Sequence, residues 1–506
     1  MIFSPAALLI FIVGYFVLLL LISKLTSGKA DNETFFIANR NSRWYLVAFG
    51  MIGTSISGVT FISVPGTVKQ DAFSYFQFVL GNAVGYAIIA LVLMPVYYRM
   101  KLTSIYTYLQ HRFGFYSYQS GAFIFLVSRT IGSAFRLFLV AIVLQHYIFD
   151  YWHIPFWITV AVSLLLIWTY TYKGGLKTII WTDTIQTLFL VTAVILTLIV
   201  ISHRMHMGLD EMIHAIAQSH YSKIFWWDDF LSDKRHFIKY FLGGVAVSVA
   251  MTGLDQDLMQ KNLSCRNLGE AQKNMFSFTG VFVVINLFFL SLGALLYLYA
   301  ASRGISLPER ADYLFPEIAF HYLGGWAAIV FILGLTAATF ATTDSAMTAL
   351  TTSFCVDFLR FTDHPAEAQK RRQIRIRQLV HLAFSLVFLL VVLFFKYAVS
   401  ESVVKAVFTV AGYTYGPLLG LFFFGICTRR RVRDKWVPWI CVLSPLLCAL
   451  LDIRSVQWLG GYRFGFELLI VNGILTFAGL WIISQKPVCP QGTQEVQAAA
   501  VHNKRD

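Results

Sequence analysis

The chain is 506 residues long, 57% apolar and 13% charged, with a mean hydropathy of +0.66. This excludes a soluble protein with two or three cores and points to a polytopic membrane protein. A formal charge of +14 would suit nucleic acid only as a soluble basic face, and here the basic residues sit in short loops between apolar runs.

Thirteen apolar runs of at least 17 residues are expected as spans, near 6–26, 44–65, 72–98, 118–149, 155–172, 178–202, 237–259, 274–301, 323–359, 377–397, 402–427, 436–452 and 465–484. The first has no basic residue ahead of it and no small-residue cleavage site behind it, so it reads as a retained helix with its amino end outside. That orientation puts Arg99 and Lys101, Lys173 and Lys177, Lys261, Arg266 and Lys273, Lys370 to Arg377, and Arg429 to Lys435 in cytoplasmic loops. The positive-inside rule then agrees with thirteen spans in a cell membrane and a cytoplasmic carboxyl terminus.

The second run, from Gly50 to Thr60, sets three glycines and the hydroxyls of Thr54, Ser55, Ser57 and Thr60 at membrane depth, and meets Pro65 and Gly66 soon after. Non-helical backbone is tolerated there only where it lines a cavity, and the carbonyls it frees can hold a cation. Five spans later Phe241 to Gln256 is interrupted by Gly243, Gly244 and Gly253. Small residues also serve helix packing. A matched pair of broken helices in two five-helix halves, however, marks an inverted-repeat transporter.

Gln77 and Asn82 follow on the next span as polar contacts for a solute. Arg129 and Arg136 lie seven residues apart on one face of the span 118–149. A buried guanidinium suits bidentate binding of a carboxylate; the alternative is an internal salt bridge, with Asp183 or Asp344 as the acid. The outside loop 203–236 carries Phe225, Trp226 and Trp227, suited to an interfacial helix, and Thr252 on the second broken span is another substrate candidate. Inside the ninth run, Ala341-Thr342-Thr343-Asp344-Ser345 places a carboxylate and hydroxyls where they must face the bundle interior.

The six cysteines, Cys265, Cys355, Cys427, Cys441, Cys448 and Cys489, lack paired spacing, so neither a disulfide framework nor a zinc site is expected. No P-loop, triad or zinc motif suggests an enzyme. The short tail 485–506 counts against a sensor fusion.

From about Asn32 to Gly425 the chain resembles the sodium/solute symporter family. The resemblance rests on Phe35 to Arg40, on Gly174-Gly175-Leu176-Lys177-Thr178 with Trp181 to Gln186, on Asp255-Gln256 with Gln260-Lys261, and on Gly416 to Gly420. It implies an all-α five-plus-five inverted repeat of the amino-acid/sodium carrier type. Residues 1–30 would form an extra helix, 31–202 and 237–427 the two repeats around the loop 203–236, 428–484 two further helices, and 485–506 the tail.

The resemblance also implies Na+ as the coupled ion, held by carbonyls of Gly53, Ile56 and Ala338 and by the hydroxyl of Thr342. Ala341 stands where the family commonly has Ser, which removes one ligand. Asp183, Asp344 and Ser345 match a second sodium site of some members; two carboxylates would share one cation there, or one would carry a proton. Ser55, Ser57 and Thr60 line up with positions that face substrate. Thr60 replaces a Gln of the sugar carriers, and the run to Pro65 looks more like the monocarboxylate, vitamin, iodide and sialic-acid branches. A small carboxylate-bearing solute is therefore expected, ahead of a neutral sugar or polyol or a proton-coupled carrier. The partners are that solute, sodium and the bilayer, with no obligatory protein partner and no nucleic acid.

Overall fold

The computed structural model describes residues 4–28, 31–361, 367–398 and 403–485. Cys489 and nearly all of the tail lie outside them. The first apolar run forms α1 (Pro5–Thr26), capped by the Ser4 hydroxyl, which accepts from the Ala7 N–H. The second divides into α2 (Trp44–Ser55) and α3 (Gly58–Asp71), bent by 56°. Next come α4 (Tyr75–Arg99), α5 (Phe115–Tyr147), α6 (Phe156–Thr171) and α7 (Leu176–Met205). The run at 237 divides into α8 (Phe237–Gly253) and α9 (Gln256–Leu263), bent by 64°. Then follow α10 (Leu268–Ser302), α11 (Gly325–Phe358), α12 (Glu367–Ala398), α13 (Val403–Thr414), α14 (Gly416–Cys427), α15 (Val437–Trp458) and α16 (Leu468–Ile483).

Among the described residues eight helices are long and apolar enough to cross a membrane, the two bent pairs make up to ten, and α6, α14 and α16 are shorter apolar helices. A two-residue antiparallel ladder, Arg431–Val432 with Ser484–Gln485, ties the start of the α15–α16 hairpin to its end.

The breaks arise where the sequence is weakest as helix. At Ile56 the backbone turns to φ −88° and ψ 86°, just after its N–H makes a last helical bond to Ile52 O at 2.8 Å. At Asp255 the side chain leaves the helix and caps the next one, accepting from the Asp257 N–H at 2.8 Å. Asp255 thus replaces a helical backbone bond with a local side-chain one, so the chain loses little by unwinding at the second break.

Long contacts join α7 to α11 and to α2, α5 to α11, and α3 to α10, while α1 lies across α6, α7 and α11. The α4–α8 pair is closer still, because a Cβ at Gly81 would collide with Phe241 O and one at Gly244 with Phe78 O. Gly81→Ala should therefore cost about 1–3 kcal/mol by overpacking. A lowered melting temperature of the detergent-solubilised protein would register this, and an unchanged one would mean the helices have room to part.

Three expectations need correction. The run 402–427 is two helices that meet at Tyr415, which stays in the αR region: Pro417 has no N–H to give the preceding turn, and the Gly412 and Tyr413 carbonyls accept from Asn472 Nδ2 instead. Lys261, expected in a cytoplasmic loop, is 1% exposed within α9. Arg377, expected in the next such loop, is buried in α12 under the Phe35 ring and donates to Asp31 O and Asn32 Oδ1 at 3.0 Å each. In both places the helix carries its polar residues into the protein instead of ending with the apolar run.

Candidate functional site

Around the first break the backbone offers oxygen. Among the described residues the carbonyls of Gly53 and Ile56 accept no hydrogen bond, whereas the Gly53 N–H is held by Thr187 Oγ1 at 3.0 Å. The break lies against α11, since a Cβ at Gly58 would collide with Thr339 Oγ1. On α11, Thr342 Oγ1 donates to Thr339 O at 2.8 Å, which leaves its lone pairs free. Ala338 and Ala341 are fully buried beside it, and Ala341 adds no side-chain oxygen. Neutral oxygens freed by unwinding suit a desolvated monovalent cation, so this donor set fits sodium.

Behind the break lies a charged cluster. Lys261 Nζ donates to both Asp183 Oδ2 and Thr54 Oγ1. Thr54 Oγ1 also donates to Asp183 Oδ2 at 3.1 Å. Asp344 Oδ2 accepts from the Tyr170 hydroxyl at 2.8 Å. Ser345 does not join these acids and donates instead to Asp257 Oδ1. The expected trio of Asp183, Asp344 and Ser345 is thus divided among three different partners.

A cavity of about 90 Å³ opens beside the break, lined by Ser55, Ser57, Thr60, Arg129, Arg136 and Thr252 together with Asn82, Asn286, Tyr75 and Tyr86. That is room for several waters. Gln77 does not reach it; its amide donates to Arg235 O at 2.9 Å and accepts from the Trp226 N–H at 3.1 Å, so it anchors the 203–236 loop.

The two arginines differ in their partners. Arg129 is paired with Asp257 Oδ2 and stands 3.7 Å from Asp255 Oδ2, so its acids are Asp257 in the first turn of α9 and Asp255, the cap of that helix, and not Asp183 or Asp344. Tyr415, at the break between α13 and α14, donates to Asp255 Oδ2. Arg136 lines the cavity with no hydrogen bond or ion pair among the described residues.

Sequence reasoning missed Asp257, Tyr415 and Asn286 and misplaced Lys261. An Asn inside the apolar run 274–301 was a usable signal for Asn286. The pairings of Asp257 and Lys261 join residues 128 and 78 positions apart and had no local signature.

Two bent spans, freed carbonyls facing a hydroxyl-bearing helix and a polar cavity between them define a cation-coupled secondary transporter of the inverted-repeat class. The sodium:solute symporter family profile matches residues 35–434. A sodium/sialic acid symporter of Aliivibrio fischeri is 25% identical over 439 residues, 85% of this chain and 82% of that protein. A sodium-coupled monocarboxylate transporter of Danio rerio is also 25% identical, over 79% of this chain and 63% of that one. A sodium-coupled sialic acid symporter solved in a substrate-bound, outward-open state shares the fold with a TM-score of 0.79 at 19% identity, over 96% of this chain and 99% of that one. The chain belongs to the sodium:solute symporter family: it is a multi-pass membrane transporter whose coupling ion is sodium.

Proposed function

We propose that the transported solute is small and carries a carboxylate, with sialic-acid-like compounds and short monocarboxylates as the leading candidates. The observation that supports this is Arg136, a guanidinium facing the cavity with no partner of its own among the described residues. Its planar fork suits a carboxylate, and Ser55, Ser57, Thr60, Asn82, Thr252 and Asn286 add polar contacts for the rest of the molecule. The named substrates of the two relatives are of this class.

Sodium at Gly53, Ile56, Ala338 and Thr342 and solute at Ser55 and Ser57 use one unwound segment. Binding the ion fixes the backbone that shapes the solute pocket. Charge works in the same direction: Arg129, Arg136, Asp255 and Asp257 sum to zero, so an entering carboxylate brings one negative charge and sodium restores neutrality. Rocking of one helix set against the other then exposes the pocket on the opposite side. One sodium moving inward through 100 mV contributes about 2.3 kcal/mol, which a monovalent carboxylate moving with it offsets, so the sodium concentration gradient drives the uptake.

In this reading the amino terminus is outside, the carboxyl terminus cytoplasmic, and the repeats are residues 31–202 and 237–427. No covalent chemistry and no obligatory protein partner are needed. Radiolabelled uptake into proteoliposomes under separately imposed sodium and proton gradients tests it. A sodium gradient should drive accumulation of a short monocarboxylate or sialic acid; uptake of neutral sugars alone would defeat the carboxylate assignment. Thr342→Ala should raise the sodium half-saturation concentration about fivefold, the loss of roughly 1 kcal/mol. Unchanged sodium dependence would remove Thr342 from the ion site.

A further inference from the structure

Lys261 is an ammonium buried to 1% exposure within α9. Burying such a charge is costly unless it is paired and hydrogen-bonded. Both conditions are met within one contact set: Lys261 Nζ donates to Asp183 Oδ2 and to Thr54 Oγ1, and Thr54 donates to the same carboxylate oxygen. Thr54 adjoins Gly53 and Ser55, so the ammonium sits directly behind the unwound segment. Asp183 is the acid that a second sodium would need, and its charge is already matched.

The remaining donors for such an ion are dispersed. Ser345 donates to Asp257, and Asp344 accepts from Tyr170. Ala341 adds no oxygen. Asp183 Oδ1 and Asp344 Oδ1 have no partner among the described residues, but Asp183 already carries the Lys261 ammonium on Oδ2, and two carboxylate oxygens without Ser345 or a hydroxyl at position 341 do not build a full cation shell.

We propose that Lys261 is a tethered cation: its ammonium takes, at Asp183, the place of a second sodium, so the protein binds one sodium, at the Gly53–Ile56 break. The lysine arrives on α9 and touches α2 and α7, so it also ties the second broken helix to the first. A sodium ion leaves on every cycle; a covalently attached ammonium does not. The charge moved per cycle is therefore smaller than two sodium ions would give. With a monovalent carboxylate and one sodium, transport moves no net charge.

This inference rests on sodium coupling, and the test separates the two. Equilibrium binding of radioactive sodium to the purified full-length protein, without solute, counts sites directly. The wild type should bind one sodium per chain. Lys261→Met should bind two, because Asp183 is released. The double variant Lys261→Met/Asp183→Asn should bind one, and it keeps the question answerable if the single variant does not fold, since both charges leave together. Two sodium ions on the wild type, or a double variant that binds fewer than the wild type, would overturn the proposal. So would a folded Lys261→Met that still binds one. A wild type that binds none would overturn sodium coupling itself, and the tethered-cation proposal with it.

Discussion

Arg136→Ala should lower carboxylate uptake, measured as kcat/KM in proteoliposomes, by roughly 10- to 100-fold. Hydrogen bonds to a charged group contribute about 1.5–3 kcal/mol, and each 1.36 kcal/mol is a factor of ten. Arg136→Lys should recover only part of the loss, because an ammonium keeps the charge and loses the two parallel donors. Sodium binding measured without solute should be nearly unaffected, since the ligands proposed for the ion lie on Gly53, Ile56, Ala338 and Thr342. Uptake by Arg136→Ala at the wild-type rate would make this arginine a spectator and leave the carboxylate without a receptor.

Asp257→Asn should destabilise the protein by about 3–5 kcal/mol, the usual cost of leaving one member of a buried ion pair behind. Arg129 would keep only Asp255, 3.7 Å away. Ser345 would lose its charged acceptor. In thermal melts of the detergent-solubilised protein the midpoint should fall by roughly 5 °C or more. The double variant Arg129→Met/Asp257→Leu should regain much of that, because removing both charges avoids the orphan. A midpoint in Asp257→Asn equal to that of the wild type would show that the Arg129 pair does not persist in the membrane protein.

The breaks were legible because they are local. Gly50, Gly53, Ser55 and Ser57 weaken a helix wherever they occur together, and Gly243 to Gly253 did the same for the second. The interruption near Pro417 is harder to see, because the run 402–427 reads as one span by apolar length alone. Lys261 and Arg377 were misplaced for a physical reason: counting basic residues near span ends assumes that each reaches water, and both instead turn inward to Asp183 and to Asn32. Gln77 had the right chemistry for a solute contact. Its neighbour turned out to be the loop that folds back over α4, and where a loop lands is set by tertiary packing. Arg129 reads as either a ligand or an ion-pair member; its pairing with Asp257 depends on where the break at Asp255 starts α9.

The contact between α4 and α8 through Gly81 and Gly244 has a mechanical consequence. Where backbone meets backbone there is no layer of side chains to shear, so the two helices cannot roll over one another without first separating. Any displacement of α8 at this level therefore has to be matched by α4.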